Sequence, residues 1–152
     1  MTVRYPPMHS DDVARKLVAQ LNQGLSQGVI ASWPQVDFDP GVPGLPLVAG
    51  GGQAGAELDI DAIGVGYSFR YGQFGNFTAG GRLHLFQITA DVPYTTGAAT
   101  LPILPLMRKS PADNSAVSFA DVKIEGWLEG DGREWTVSTA RHVGLEFTVI
   151  EK

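Results

Sequence analysis

Arg82-Leu83-His84-Leu85-Phe86-Gln87-Ile88-Thr89-Ala90-Asp91-Val92 is the stretch on which the fold turns. Phe86, Ile88, Ala90 and Val92 fall on one side of an extended chain, Leu83 and Leu85 take the opposite phase, and Pro93 stops the run. That two-residue period is the signature of a strand with one buried face. Downstream, residues 116–128 and 134–150 carry the same pattern around Glu129-Gly130-Asp131-Gly132, a cluster of turn formers. They predict a long C-terminal hairpin. In its last strand Trp135, Val137, Val143, Leu145, Phe147 and Val149 share a phase, and Arg141 interrupts it, predicting a bend near residues 139–141.

Upstream lies one helical pattern, residues 11–27. Ser10 can cap it, Asp11 and Asp12 suit the positive end of the helix dipole, and Gly28 suits a left-handed stop. Val13, Leu17, Leu21 and Leu25 recur every four residues, with Ala14 and Val18 widening the stripe. Gly24 inside the helix weakens it by up to about 1 kcal/mol relative to Ala. A single amphipathic helix must bury its stripe on something, and strands are all that the rest of the chain offers. The expected fold is therefore α+β: an N-terminal helix packed on a mainly antiparallel β-sheet, in a single domain spanning residues 1–152. Residues 1–10, with Pro6-Pro7, read as an extended arm.

The middle of the chain is less regular. Residues 35–38 and Pro46-Leu47-Val48 each suit a short strand. Residues 40–81 hold 12 of the 19 glycines and read as a Gly-rich loop or arm inserted in the domain. Within them Leu58, Ile60 and Ala62, then Val65, Tyr67, Phe69 and Tyr71, alternate in the strand period, with Gly64 marking a phase shift. Residues 94–114 predict an apolar loop or short turns, because Pro102 and Pro105 oppose a helix.

Composition removes several chemistries. No Cys among 152 residues excludes zinc ribbons, thiol nucleophiles and disulfide frameworks, and fits a reducing compartment. The sequon Asn76-Phe77-Thr78 then reads as chance. The Gly50-Gly51-Gly52 run has no following Lys or helix to make a phosphate loop, and no Gly-x-Ser-x-Gly elbow exists. The pairs Asp37/Asp39 and Asp59/Asp61 lack the further oxygen ligands and sharp-turn Gly of a calcium loop. His84 and His142 on neighbouring strands, with Glu146, would be another route to a metal site, though polar strand faces collect such residues without binding anything. No enzyme, cofactor or metal is expected. No membrane segment is expected either, since no stretch approaches 18 apolar residues.

Two groups of residues stand out. No Lys or Arg lies between Lys16 and Arg70, while Asp37, Asp39, Glu57, Asp59 and Asp61 all do, so this stretch alone carries −5 in a chain of net charge −5. It is either a solvated acidic face or a surface that repels polyanions. Tyr67, Phe69, Tyr71, Phe74 and Phe77 form the second group. They read as a second core layer, as interface anchors, or as the platform of a β-rich module binding a glycan or protein.

The order of features resembles the tail-terminator and tail-completion proteins of long-tailed bacteriophages and phage-like particles. The resemblance rests on the helix at 11–27, then on Trp33-Pro34-Gln35-Val36-Asp37-Phe38 before a Pro/Gly loop. It continues through Gly81 to Pro93 with Thr95-Thr96-Gly97, and through the final Gly144-Leu145-Glu146-Phe147-Thr148-Val149-Ile150. It is one of patterning over most of the chain. Pro102 and Pro105 stand where that family places a second helix.

What the resemblance implies is a structural virion protein of the phage tail, assembled in the host cytoplasm and working as a homohexameric ring. Such a ring caps the tail tube and joins it to the head-side connector or stopper protein, and DNA passes through its lumen without specific binding. Trp33, Tyr67, Phe69, Tyr71, Phe74 and Phe77 are then candidates for the interface, and Asp37, Asp39, Glu57, Asp59 and Asp61 for an acidic lining. Another head–tail joining or baseplate component is the neighbouring possibility.

Overall fold

The computed structural model describes residues 1–9, 11–94, 97–129, 135–137 and 142–151, with 135–137 and 142–144 given by backbone alone. The fold is α+β in the broad sense and mostly β, with one helix and antiparallel sheets. Its contacts group the chain into two compact units, residues 1–31 with 125–152 and residues 32–124, where the sequence pattern predicts one domain.

The first unit holds the helix α1 (Asp12–Gln27) and an open sheet. Its strands are β1 (Thr2–His9), β2 (Val29–Ser32), β9 (Lys123–Leu128), β10 (Trp135–Val137) and β11 (His142–Ile150). The order is β1-β11-β9-β2, with β10 also on β11. Asp11 caps the helix, its carboxylate accepting from the Val13 and Ala14 N–H groups at 2.9 and 3.1 Å. Ser10 lies outside the described residues. Ala14, Leu21 and Gly24 are buried, whereas Val13 is 66% exposed, so the buried stripe is rotated from the one expected. Gly24 faces Leu128 and Val29, and a Cβ on it would meet Leu128 Cδ1 at 3.4 Å and Val29 Cβ at 3.5 Å, ordinary packing distances. The Gly28 N–H donates to the Gly24 carbonyl, closing the last turn at a φ of 81°.

Within the stretch expected as an extended arm, residues 2–9 are extended but paired. Thr2–His9 is an edge strand paired with β11, from Thr2 opposite Thr148 to His9 opposite His142. Pro6-Pro7 sits where the register slips between Tyr5 and Met8, a bulge on an edge being where a strand tolerates missing N–H groups. Tyr5 stacks on Phe147 at 6.3 Å between ring centroids. Leu145, Phe147 and Val149 are buried, as their shared phase predicts.

The predicted strand at 116–128 is divided between two sheets, Val117–Ser118 in one and Lys123–Leu128 in the other. β9 meets β11 at Leu128 opposite Val149 and Trp127 opposite Ile150, while β10 pairs with Val143–Leu145. The Gly130–Gly132 turn and the bend at 139–141 lie outside the described residues.

The second unit is a closed barrel of six antiparallel strands: β3 (Gly44–Val48), β4 (Gly55–Ile63), β5 (Phe74–Ala79), β6 (Arg82–Ile88), β7 (Ala99–Met107) and β8 (Val117–Ser118). They run β3-β4-β7-β6-β5-β8. The ends join because Leu47 bridges Ala116, Val48 N–H donates to the Ser115 carbonyl and Asn114 N–H donates to the Val48 carbonyl. Closure removes sheet edges, and alternate side chains fill the interior. Val48, Leu58, Ile60, Ile88, Leu101 and Ile103 are each at most 1% exposed.

Residues 40–81 are therefore wall rather than insertion: they supply β3, β4 and β5, and the glycines mark the turns. Gly44 and Gly64 approach so closely that a Cβ on Gly44 would stand 2.6 Å from the Gly64 nitrogen. The phase shift in β4 falls at Ala62, whose φ is 54°, so that Ile60 and Ile63 are both buried. Residues 35–38 form a turn, not a strand. The apolar loop expected after Tyr94 is largely the nine-residue strand β7, and Thr95-Thr96 lie outside the described residues. Pro102 keeps its place by its carbonyl, which accepts from Thr89 N–H. Pro105 falls in the irregular stretch between Pro102 and Met107, where pairing with β4 lapses. In β6, Phe86 and Ile88 are buried as expected. The strand ends at Ile88, Ala90 is exposed, and Val92 meets Phe69 by an isolated bridge.

Candidate functional site

The aromatic candidates do not form one surface. Phe69 and Phe77, each 2% exposed, belong to the barrel core, which rules them out as interface anchors. Their rings join a continuous series. Tyr67 meets Phe69 at 4.9 Å, Phe69 meets Phe119 at 4.8 Å, Phe119 meets Phe86 at 5.8 Å, and Phe86 meets Phe77 at 5.9 Å. Trp33 and Phe74 are half-buried against each other at 5.0 Å, and Tyr67 is half-buried with them in exposure but not in position. Tyr71 alone stands out, 72% exposed. The regular alternation behind the prediction breaks because the chain turns at Val65-Gly66 and again at Tyr71-Gly72, so equal spacing no longer means an equal face.

The acidic candidates are all at the surface. Leu58 and Ile60 point inward, so Glu57, Asp59 and Asp61 line up on the outer face of β4, about 6.6 Å apart along the strand. Asp59 accepts a short hydrogen bond from the Thr100 hydroxyl on β7. Asp37 and Asp39 lie in the segment before β3, Asp37 with a φ of 57° and Asp39 accepting from the Gly41 N–H at 2.8 Å. No described ion pair involves any of the five.

Four carboxamides, Gln35, Gln53, Gln73 and Asn76, hold this barrel's connections. Gln53 donates to the carbonyls of Ala49, Gly50 and Asp59 and accepts from Asp59 N–H, closing the Gly-rich β3–β4 turn on itself. Gln35 accepts from Phe74 N–H at 2.8 Å and donates to the Phe119 carbonyl. Gln73, 1% exposed, donates to the Tyr67 hydroxyl at 2.7 Å and accepts from Arg70 N–H. Burial pushes the Tyr67 phenol above its ordinary value of 10.0, against the Gln73 hydrogen bond, which pulls it down. Asn76 is buried and accepts from Lys123 N–H, a structural role for the sequon asparagine.

His84 and His142 are not on neighbouring strands. His84 sits on β6 of the barrel, stacked on Phe77 at 5.5 Å, whereas His142 and Glu146 belong to β11 of the open sheet. Glu146 accepts two hydrogen bonds from the Arg4 guanidinium, at 2.8 and 2.6 Å. Among the described residues no three His, Asp or Glu side chains gather as metal ligands do. No described helix is long and apolar enough to cross a membrane.

The surface also carries bare apolar side chains. Val42, Leu45 and Val65 are 83%, 85% and 95% exposed, gathered where Pro43 accepts from Gly64 N–H and Gly44 faces Ile63. Leu104 and Leu106, on the irregular stretch of β7, are 55% and 60% exposed. Apolar side chains this bare in clusters mark surfaces that associate. No protein-family model and no curated protein matches this chain.

Proposed function

We propose that the chain is a structural protein that assembles with copies of itself into a ring, in the manner of phage tail terminators, and performs no catalysis. The observation that carries this reading is the row of outward carboxylates Glu57, Asp59 and Asp61 on one barrel strand, free of described ion pairs, beside bare apolar clusters on the same unit. An acidic wall repels phosphate backbone, as a lumen through which DNA slides requires. Bare apolar clusters are costly on a monomer and useful in a subunit. In this role the ring would be hexameric, capping the tail tube on one face and meeting the head-side connector on the other. The long C-terminal hairpin belongs to the same reading as part of that family's fold.

A glycan- or protein-binding platform on the aromatics has less support, since Phe69 is core and only Tyr71 is fully available. Light scattering on size exclusion over a concentration series tests the ring. A discrete species near six times the 16.2 kDa chain is expected, and a strict monomer at every concentration would overturn self-assembly.

A further inference from the structure

The barrel unit is polar along β4, and this polarity names the partner of its apolar clusters. At the end where β3 starts and β4 finishes lie Val42, Leu45 and Val65, with Asp39 bonded to the Gly41 N–H beside Val42 and Asp61 opposite Leu47 two residues before Ile63. Arg70 is also at this end, its guanidinium 5.4 Å over the Phe38 ring. At the opposite end Met107 faces Gly55 and the Lys109 side chain lies against Gly80. Here Leu104 and Leu106 are followed by the exposed cations Arg108 and Lys109, with Arg82 at the adjoining β5–β6 turn. Asp113 and, farther along the wall, Glu57 are the carboxylates of this region. Eight residues of β4 separate Ile63 from Gly55, about 26 Å of strand.

We infer that a second copy of this chain docks here head to tail, the acid-rimmed cluster of Val42, Leu45 and Val65 on one barrel meeting the base-rimmed cluster of Leu104 and Leu106 on another. Like-to-like pairing of the first cluster would bring carboxylates against carboxylates, which is repulsive once water is excluded. Pairing of unlike clusters buries both apolar sets and sets carboxylates beside cations. Two different surfaces on one subunit also make the contact heterologous, so each added copy leaves one cluster of each kind open. The inference deepens the ring reading and rests on it for closure, because the two clusters do not themselves state the rotation between copies.

Val65→Asp and Leu106→Asp test it by solution mass. Both side chains are mostly exposed, so folding is retained, as circular dichroism would check. Val42→Asp and Leu104→Asp replace either variant that misfolds. Each variant alone is expected to be a monomer under conditions where the unmodified chain assembles. An equimolar mixture keeps one intact cluster of each kind and is expected to give a dimer that grows no further. Variants that assemble like the unmodified chain, or a mixture that stays monomeric, would overturn the pairing and leave the ring reading standing. An unmodified chain that never assembles would overturn both.

Discussion

The barrel and the open sheet handle the same difficulty, unpaired strand edges, in opposite ways. The barrel abolishes its edges by joining β3 to β8 through Leu47 and Ala116. The open sheet keeps its edges and blunts two of them, with Pro6-Pro7 and a bulge on β1 and a mere four residues in β2. Among the described residues these edges are poor templates for strand addition, which favours association through side chains. That moves attention from the strand edges and the aromatic segment to the bare valines and leucines of the barrel.

The sharpest way to break this comparison is to hollow the closed unit. Phe77→Ala should cost about 3–5 kcal/mol, read from denaturant unfolding, because the ring is enclosed and the cavity cannot collapse onto water. Tyr71→Ala, six residues away in the same aromatic run, should stay within about 0.5 kcal/mol. Equal effects at the two sites would contradict the division between core and surface. Gly75→Ala comes next. A Cβ there would stand 2.6 Å from Phe86 and 2.7 Å from Phe119, an overpacking that should cost about 1–3 kcal/mol in the same assay.

In the open-sheet unit, Asp11→Ala removes the helix cap and should cost about 1 kcal/mol. Asp11→Asn, which keeps an acceptor, should recover most of it. The smallest effect is on pH dependence. The folded state holds the Tyr67 proton more tightly than the unfolded chain, so this contribution is whole below the ordinary value of 10.0 and is lost as pH rises through the folded value. Tyr67→Phe should flatten the alkaline fall in stability, followed by thermal unfolding between about pH 9 and 11. An unchanged slope would show that the phenol does not titrate in this range differently from an exposed one.

The sequence was most legible where structure is set by near neighbours. The helix begins within a residue of its predicted start and ends at the predicted residue 27, and Phe86, Ile88, Leu145, Phe147 and Val149 face inward as their two-residue phase requires. It was least legible where distant segments decide. Closure of the barrel depends on residues 47–48 meeting 114–116, and nothing near either segment announces the other. β7 was hidden by Pro102 and Pro105, which suit a strand here because the pairing lapses beside them. The aromatic run misled for a related reason. Tyr67, Phe69 and Tyr71 share a phase only if the chain stays extended, and instead it turns on both sides of Phe69. The acidic positions were easier, because the inward phase of Leu58 and Ile60 leaves Glu57, Asp59 and Asp61 no other face.

Negative-stain electron microscopy of the concentrated, unmodified chain tests the central claim most directly. The account predicts closed rings of uniform size with an open centre. Open filaments would show that copies join head to tail without the rotation that closes, and a field of isolated single subunits would contradict self-assembly altogether.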